Sequence, residues 1–334
     1  MGVLARRRLD QLTKPPGSLG RLEDLARDLC VMTGQCPPPL RAAVIFTLAG
    51  DHGVVAEGVS AYPQVVTAQM VENFLTGGAA VNVLARHVGA RVVVADFGIT
   101  GPALDHPGLQ QRRVAPGTAN LTHGPALSRA QAVAALEAGA ALVEEERPRG
   151  LDLIGTGEMG IGNTTAASAI TAAFTGLPAE AVTGRGTGVD DAAWRRKAEV
   201  VERGLAVNRP DAADALDVLA KVGGLEIAGL AGVILAGAAR RIPVILDGFI
   251  AGAAALAAVT LKPEARHYLI AAHRSAEPGH RHVLAALGLD PYLDLGMRLG
   301  EGTGAALGIG LARAAVAVLA EMATFKSAGV SEGA

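Results

Sequence analysis

The chain has 334 residues, enough for one large core with a smaller lobe or for two domains. Its formal net charge is −2 and only 19% of residues are charged, against roughly 25% in ordinary globular chains, which argues against a nucleic-acid partner or an anionic membrane surface. Glycine fills 43 positions, nearly twice the ordinary share of about 7%; with the long apolar runs this excludes a fibrous or disordered chain and points to a well-buried α/β protein.

The N-terminal "MGVLARRRLD" lacks the apolar core of a secretory signal. Residues 18–33 read as a helix. The only cysteines, Cys30 and Cys36, have no histidine or second cysteine pair at zinc spacing, so they read as reduced thiols of a cytoplasmic protein. Apolar runs at 42–50, 90–98, 151–157 and 242–248, with a weaker one at 268–273, predict strands. They are continuous rather than alternating, as parallel strands covered on both faces require. Helical patterns at 67–88, 128–146, 227–239 and 248–261 separate them, which predicts an α/β fold with a doubly wound parallel sheet flanked by helices. The stretches 227–239 and 248–261 are shorter than the ~20 residues that span a bilayer and have Arg240, Arg241 and Asp247 between them, so they read as buried helices. Residues 305–323 form a last helix, able to pack on 18–33 as a small lobe, and the tail from Lys326 is expected to fray.

Each predicted strand ends in polar groups: Asp51 and His52, Asp96, Glu158, Asp247, and His273 with Arg274. Ligands of open α/β sheets bind beyond the carboxyl ends of strands, so the series predicts a shared cleft. Turn and capping preferences explain any single one of them equally well.

The segment "LDLIGTGEMGIGNTTAASAI" (151–170) carries Gly155, Gly157 and Gly160 in the G-x-G-x-x-G spacing of a dinucleotide turn. Glu158 stands inside that turn, where a carboxylate would repel a pyrophosphate, and Glu180, at the offset of a ribose-binding acid, precedes an apolar segment instead of ending one. There is no G-K-[ST], so a P-loop is excluded. What remains is backbone chemistry: Gly160, Gly162, Asn163 and Thr164 can offer N–H groups and a hydroxyl at a helix start to one phosphate monoester. A second glycine turn, "TGRGTGVDD" (183–191), can close on the same phosphate, and Lys197 can supply charge while Arg195 and Arg196 face solvent. In "MRLGEGTGAALG" (297–308), Glu301 sits between glycines ahead of an apolar helix. It reads either as a base poised by desolvation or as a capping carboxylate.

The blocks "LTKPPGSLGRLEDLA" (12–26), "AGDHGVVAEGVSAYP" (49–63), "GTGEMGIGNTT" (155–165), "KVGGLEIAGLAGVILAGAARRIPVILDGFI" (221–250) and "MRLGEGTGAAL" (297–307) occur in family order. From about residue 12 to 325 the chain resembles the nicotinate-nucleotide–dimethylbenzimidazole phosphoribosyltransferases, which assemble the lower ligand of cobalamin. The resemblance implies transfer of the 5-phosphoribosyl group of nicotinate mononucleotide to 5,6-dimethylbenzimidazole, with inversion, by a homodimer that uses no metal or other cofactor. It implies a small helical domain from residues 1–40 and 301–334 around a large α/β domain, 41–300. By motif, Glu301 becomes the general base and Glu158 its assistant. Gly160, Asn163, Thr164, Gly184, Gly186 and Lys197 become the phosphate and ribose site. Tyr62, Gln69 and Leu299 are candidates for the acceptor-base pocket. "VVVADFGITGPA" (92–103) has a single acid and no phosphate loop after it, which argues against a magnesium–pyrophosphate donor. Another benzimidazole, a purine or a phenol as acceptor, a non-catalytic nucleotide-binding protein, and a nicotinamide-dependent oxidoreductase are the competing readings.

Overall fold

The apolar run Ala43–Gly50 forms β1, and all 8 of its residues are buried. It pairs in parallel with β2 (Ala90–Gly98) on one side and β4 (Leu153–Met159) on the other. β3 (Leu109–Gln111), β5 (Val244–Leu246) and β6 (Leu269–Ala271) complete a parallel sheet in the order β3-β2-β1-β4-β5-β6. This is the doubly wound order: the chain builds outward from β1 in one direction, then crosses to β4 and builds in the other. A crevice therefore opens past the carboxyl ends of β1 and β4. The computed structural model describes residues 1–331 apart from 187 and 189.

Helices cover both faces. On one lie α1 (Gly2–Asp10), α2 (Arg21–Thr33), α3 (Val66–Thr76), α4 (Ala80–His87) and α13 (Thr303–Glu321), around a core that includes Ile45, Val94 and Leu153. On the other lie α5 (Arg129–Glu146), α6 (Asn163–Thr175), α7 (Ala179–Val182), α8 (Asp191–Asn208), α9 (Ala215–Val222), α10 (Leu225–Ala239), α11 (Phe249–Leu261) and α12 (Pro278–Leu287), around Phe46, Phe97 and Ile154. Residue parity along each strand decides which core it joins, since successive side chains point to opposite faces. The chain ends meet: Leu12 bridges Thr324, and Arg8 donates to the carbonyls of Leu319 and Met322. By length and composition alone α13 could cross a membrane, but here it packs on β4 and α2.

Three expectations need correction. The helix predicted over 67–88 is two helices, because Gly77 takes φ +80 as a left-handed cap and ends α3. The edge strand β3 is additional to the predicted strands; three residues carry too little periodicity to read. β5 and β6 are three residues each, shorter than their apolar runs, because only the middle of each run meets its neighbours. In the tail, Phe325–Ala328 forms the short helix α14, capped by Thr324, and residues 332–334 lie outside the described residues.

Candidate active site

A cavity of about 760 Å³ opens past the carboxyl ends of β4, β5 and β6, with Tyr62, Val66 and Met70 from the segment after β1 on another side. Of the strand-end polar groups, Glu158 and His273 line it. The others serve the scaffold, so the single shared cleft is smaller than expected. Asp51 accepts the Thr100 N–H at 2.7 Å, His52 pairs with Glu226 at 2.7 Å, and Asp96 holds Arg113 at 2.7 Å. Arg274 pairs with Asp294. Asp247 sits behind the cavity wall, where its carboxylate accepts N–H groups of Gly302, Gly304 and Ala305 at 3.0, 2.6 and 3.2 Å.

Asp247 is thus the cap of α13, supplied from the end of β5, and Glu301 is not. The capping alternative for Glu301 falls, because the helix donors are already taken. Glu301 has φ +65 between Gly300 at +80 and Gly302 at +100, three left-handed residues in a row. Such a backbone costs a non-glycine residue of the order of 1 kcal/mol or more, and here it aims the carboxyl at the cavity. Its Oε2 is buried with no hydrogen-bond partner among the described residues. Burial, then the nearby charge of Asp247, pushes its pKa up to about 7.

Glu158 lies within the end of β4, not in a turn, and its Oε1 faces Gly300 so closely that a Cβ there would stand 2.3 Å away. The Asn163 amide donates to its other oxygen. Burial raises its pKa to about 8, helped by Asp247 and Glu226 and opposed by the Asn163 amide.

The glycine pattern that mimics a dinucleotide turn has another cause. A Cβ at Gly155 would meet Ile45 at 3.0 Å and Ala305 at 3.2 Å, one at Gly157 the Glu301 carbonyl at 2.4 Å, and one at Gly160 the Gly50 carbonyl at 2.2 Å. All three admit neighbouring backbone or side chains, and Glu180 lies in the one-turn helix α7, not at a strand end.

Thr164, in the first turn of α6, lines the cavity. Behind it Lys197 of α8 is 1% exposed and donates to the Thr164 hydroxyl at 2.6 Å. Burial pulls its pKa down to about 8, against the field of Glu277. Arg195 and Arg196 are exposed, as expected. Gly160, Asn163 and Gly186 line the cavity; Gly184 does not, since Glu277 stands over it. The second glycine turn includes Thr187 and Val189, outside the described residues. Tyr62 and Leu299 line the cavity with Val66 and Met70, whereas Gln69 is exposed on α3 and does not. Besides His273, which the sequence singles out at the end of β6, Ser275, Glu277 and Arg298 line it too, beyond the residues that sequence reasoning selects. Nothing local marks them apart from the polar end of β6.

Fold and cavity together define a doubly wound α/β protein whose site lies at the switch point of its sheet, with an acid pair at one place and a lysine-backed helix start at another. A family model described as Phosphoribosyltransferase matches residues 2–330. The chain is 60% identical over 328 residues to the nicotinate-nucleotide–dimethylbenzimidazole phosphoribosyltransferase of Desulforudis audaxviator, covering 98% of this chain and 93% of that one. It is 59% identical over 329 residues to the enzyme of that name from Geobacter sulfurreducens, covering 98% and 94%. The crystal structure of CobT from Thermus thermophilus superposes with a TM-score of 0.95 at 52% identity over 99% of both chains. The chain belongs to the nicotinate-nucleotide–dimethylbenzimidazole phosphoribosyltransferase family.

Proposed function

We propose that this protein transfers the 5-phosphoribosyl group of nicotinate mononucleotide to 5,6-dimethylbenzimidazole, forming α-ribazole 5′-phosphate and nicotinate for the nucleotide loop of cobalamin. The observation that carries the reading is one cavity that joins the Glu158–Glu301 acid pair to the Thr164–Lys197 contact at the start of α6. The phosphate sits on Thr164, the 160–164 turn and Gly186, with Lys197 supplying charge. The bond from C1′ to the pyridinium nitrogen breaks with its electron pair moving onto that nitrogen, so nicotinate leaves without an acid. A ring nitrogen of the acceptor attacks C1′ from the opposite face, and the proton on its second nitrogen passes to Glu301. A base with a pKa near 7 is matched to that transfer at neutral pH.

Glu158 is neutral in the empty site at pH 7, because its pKa stands at about 8. A cationic pyridinium beside it favours the carboxylate, so donor binding ionises it. The ionised group then stabilises the oxocarbenium-like charge on the ribose. Tyr62, Val66, Met70 and Leu299 wall the acceptor end. Their apolar character fits a dimethylated benzimidazole and also admits other lower-ligand bases as a second reading. The working state in this reading is a cytoplasmic homodimer needing no metal or cofactor, with 1–40 and 301–334 as a small helical domain whose first C-terminal residue, Glu301, completes the site carried by 41–300.

Incubation of the protein with both substrates, followed by chromatography with mass detection, tests the reading. Nicotinate and a new riboside phosphate in equal amounts are expected. Their absence with benzimidazole, adenine and phenolic acceptors alike would overturn it.

A further inference from the structure

Gly186 lies directly against the Lys197–Thr164 hydrogen bond. With φ +53, a Cβ there would stand 2.8 Å from the Thr164 hydroxyl and 2.9 Å from the lysine nitrogen. Side chains from the opposite wall take both its N–H and its carbonyl. The N–H donates to Glu277 Oε1 at 2.9 Å, and the carbonyl accepts from Arg298 Nη1 at 2.9 Å. Glu277 immediately precedes α12 and is 6% exposed. Among the described residues its Oε2 has no hydrogen-bond partner, and it lies 2.1 Å from where a Cβ of Gly184 would be. The glycines at 184 and 186 therefore make room for a carboxylate and an ammonium group.

A buried carboxylate is unfavourable unless its neighbours use its charge. Glu277 has two such neighbours: the Gly186 N–H, and Lys197, whose charged form it favours against burial. It would repel a bound phosphate, so direct contact with the ligand is not its contribution. We propose that Glu277 is a positioning residue for phosphate recognition. It pins Gly186 over Lys197, so the loop and the ammonium are in place before the ligand arrives, and Arg298 fixes the same glycine through its carbonyl. Preorganisation of this kind strengthens binding by removing the entropy of ordering the loop. The identity of the full ligand rests on the function proposed above; the phosphate preference does not require it.

Trp194 is the only tryptophan, and its indole N–H donates to the Thr183 carbonyl at the base of this loop at 2.9 Å. Its fluorescence serves as the readout. Titrations use inorganic phosphate, nicotinate mononucleotide and, as the phosphate-free control, nicotinate riboside, at about pH 6.5, where Lys197 is charged. Glu277→Ala and Glu277→Asp, which cannot reach the Gly186 N–H, are expected to weaken phosphate and mononucleotide roughly tenfold and leave the riboside unchanged. Glu277→Gln keeps an oxygen for that N–H and is expected to stay within about twofold of the unmodified protein. The proposal is overturned if the Ala and Asp variants bind phosphate as tightly as the unmodified protein. Equal weakening of the riboside, or a Gln variant as weak as the Ala variant, overturns it as well. If the unmodified protein binds phosphate with this variant pattern but not the mononucleotide, the positioning role stands and the donor assignment falls.

Discussion

The carbonyl oxygen of Glu301 accepts the Thr47 hydroxyl at 3.0 Å, which anchors the loop that bears the carboxylate to the central strand. Thr47 pairs in register with Gly157, and a Cβ at Gly157 would stand 2.4 Å from that same carbonyl. Gly157→Ala must therefore push the 300–302 loop off the sheet. It is expected to lower stability by about 1–3 kcal/mol through overpacking. Nicotinate release should fall at least ~10-fold, since a shift of about 1 Å at a catalytic group is enough for that. A folded Ala variant with unchanged turnover would show that the anchoring does not matter to the chemistry.

Glu301→Gln keeps the shape of the side chain and removes the base. Turnover should fall by roughly 10²–10⁴, with nucleotide binding retained. Glu301→Gly removes the base and also the left-handed strain at φ +65. It should be about 1 kcal/mol more stable than Glu301→Ala while remaining as inactive, which urea unfolding and a turnover assay can read side by side.

Activity should follow a bell-shaped pH profile. Glu301 acts ionised, so the rate falls as pH drops through about 7. Lys197 acts protonated, so donor binding weakens as pH rises past about 8. Lys197→Met should raise KM for the donor at every pH and remove the lysine's share of the alkaline limb. A profile flat from acid to alkaline pH would remove both assignments.

Glu158 links stability to pH. Its folded pKa of about 8 lies above the ordinary 4.5, so the native state retains a proton that the unfolded chain releases between those values. The stability this proton gives is complete below 4.5 and is lost as pH rises through about 8, with a limiting slope near 1.4 kcal/mol per pH unit. Glu158→Gln has no such loss. Its stability advantage over the unmodified protein should widen across that window; an advantage independent of pH would show that Glu158 is ionised in the fold.

Much of the scaffold was legible from residues alone. Short uninterrupted apolar runs between helical patterns read as strands buried on both faces, and 42–50, 90–98 and 151–157 are β1, β2 and β4 within two residues. The short strands were less legible, because three residues carry almost no periodic signal. Around the site, Glu301 stood out because a lone acid between glycines before an apolar helix is unusual chemistry for a loop. Lys197 was distinguished from its two arginine neighbours, and it alone of the three is buried.

By itself the sequence determined the class of sheet and the acids and the lysine available for chemistry. These follow from local spacing and residue type. The tertiary structure alone decided what each group faces. Gly186 and Glu277 are 91 positions apart, and Asp247 binds the Gly302 N–H at the head of α13, 55 positions later, so no periodicity relates them. Only the assembled fold buries Glu158, Glu301 and Lys197 deeply enough to move their pKa values, because desolvation depends on every element packed around a charge and not on its neighbours in sequence.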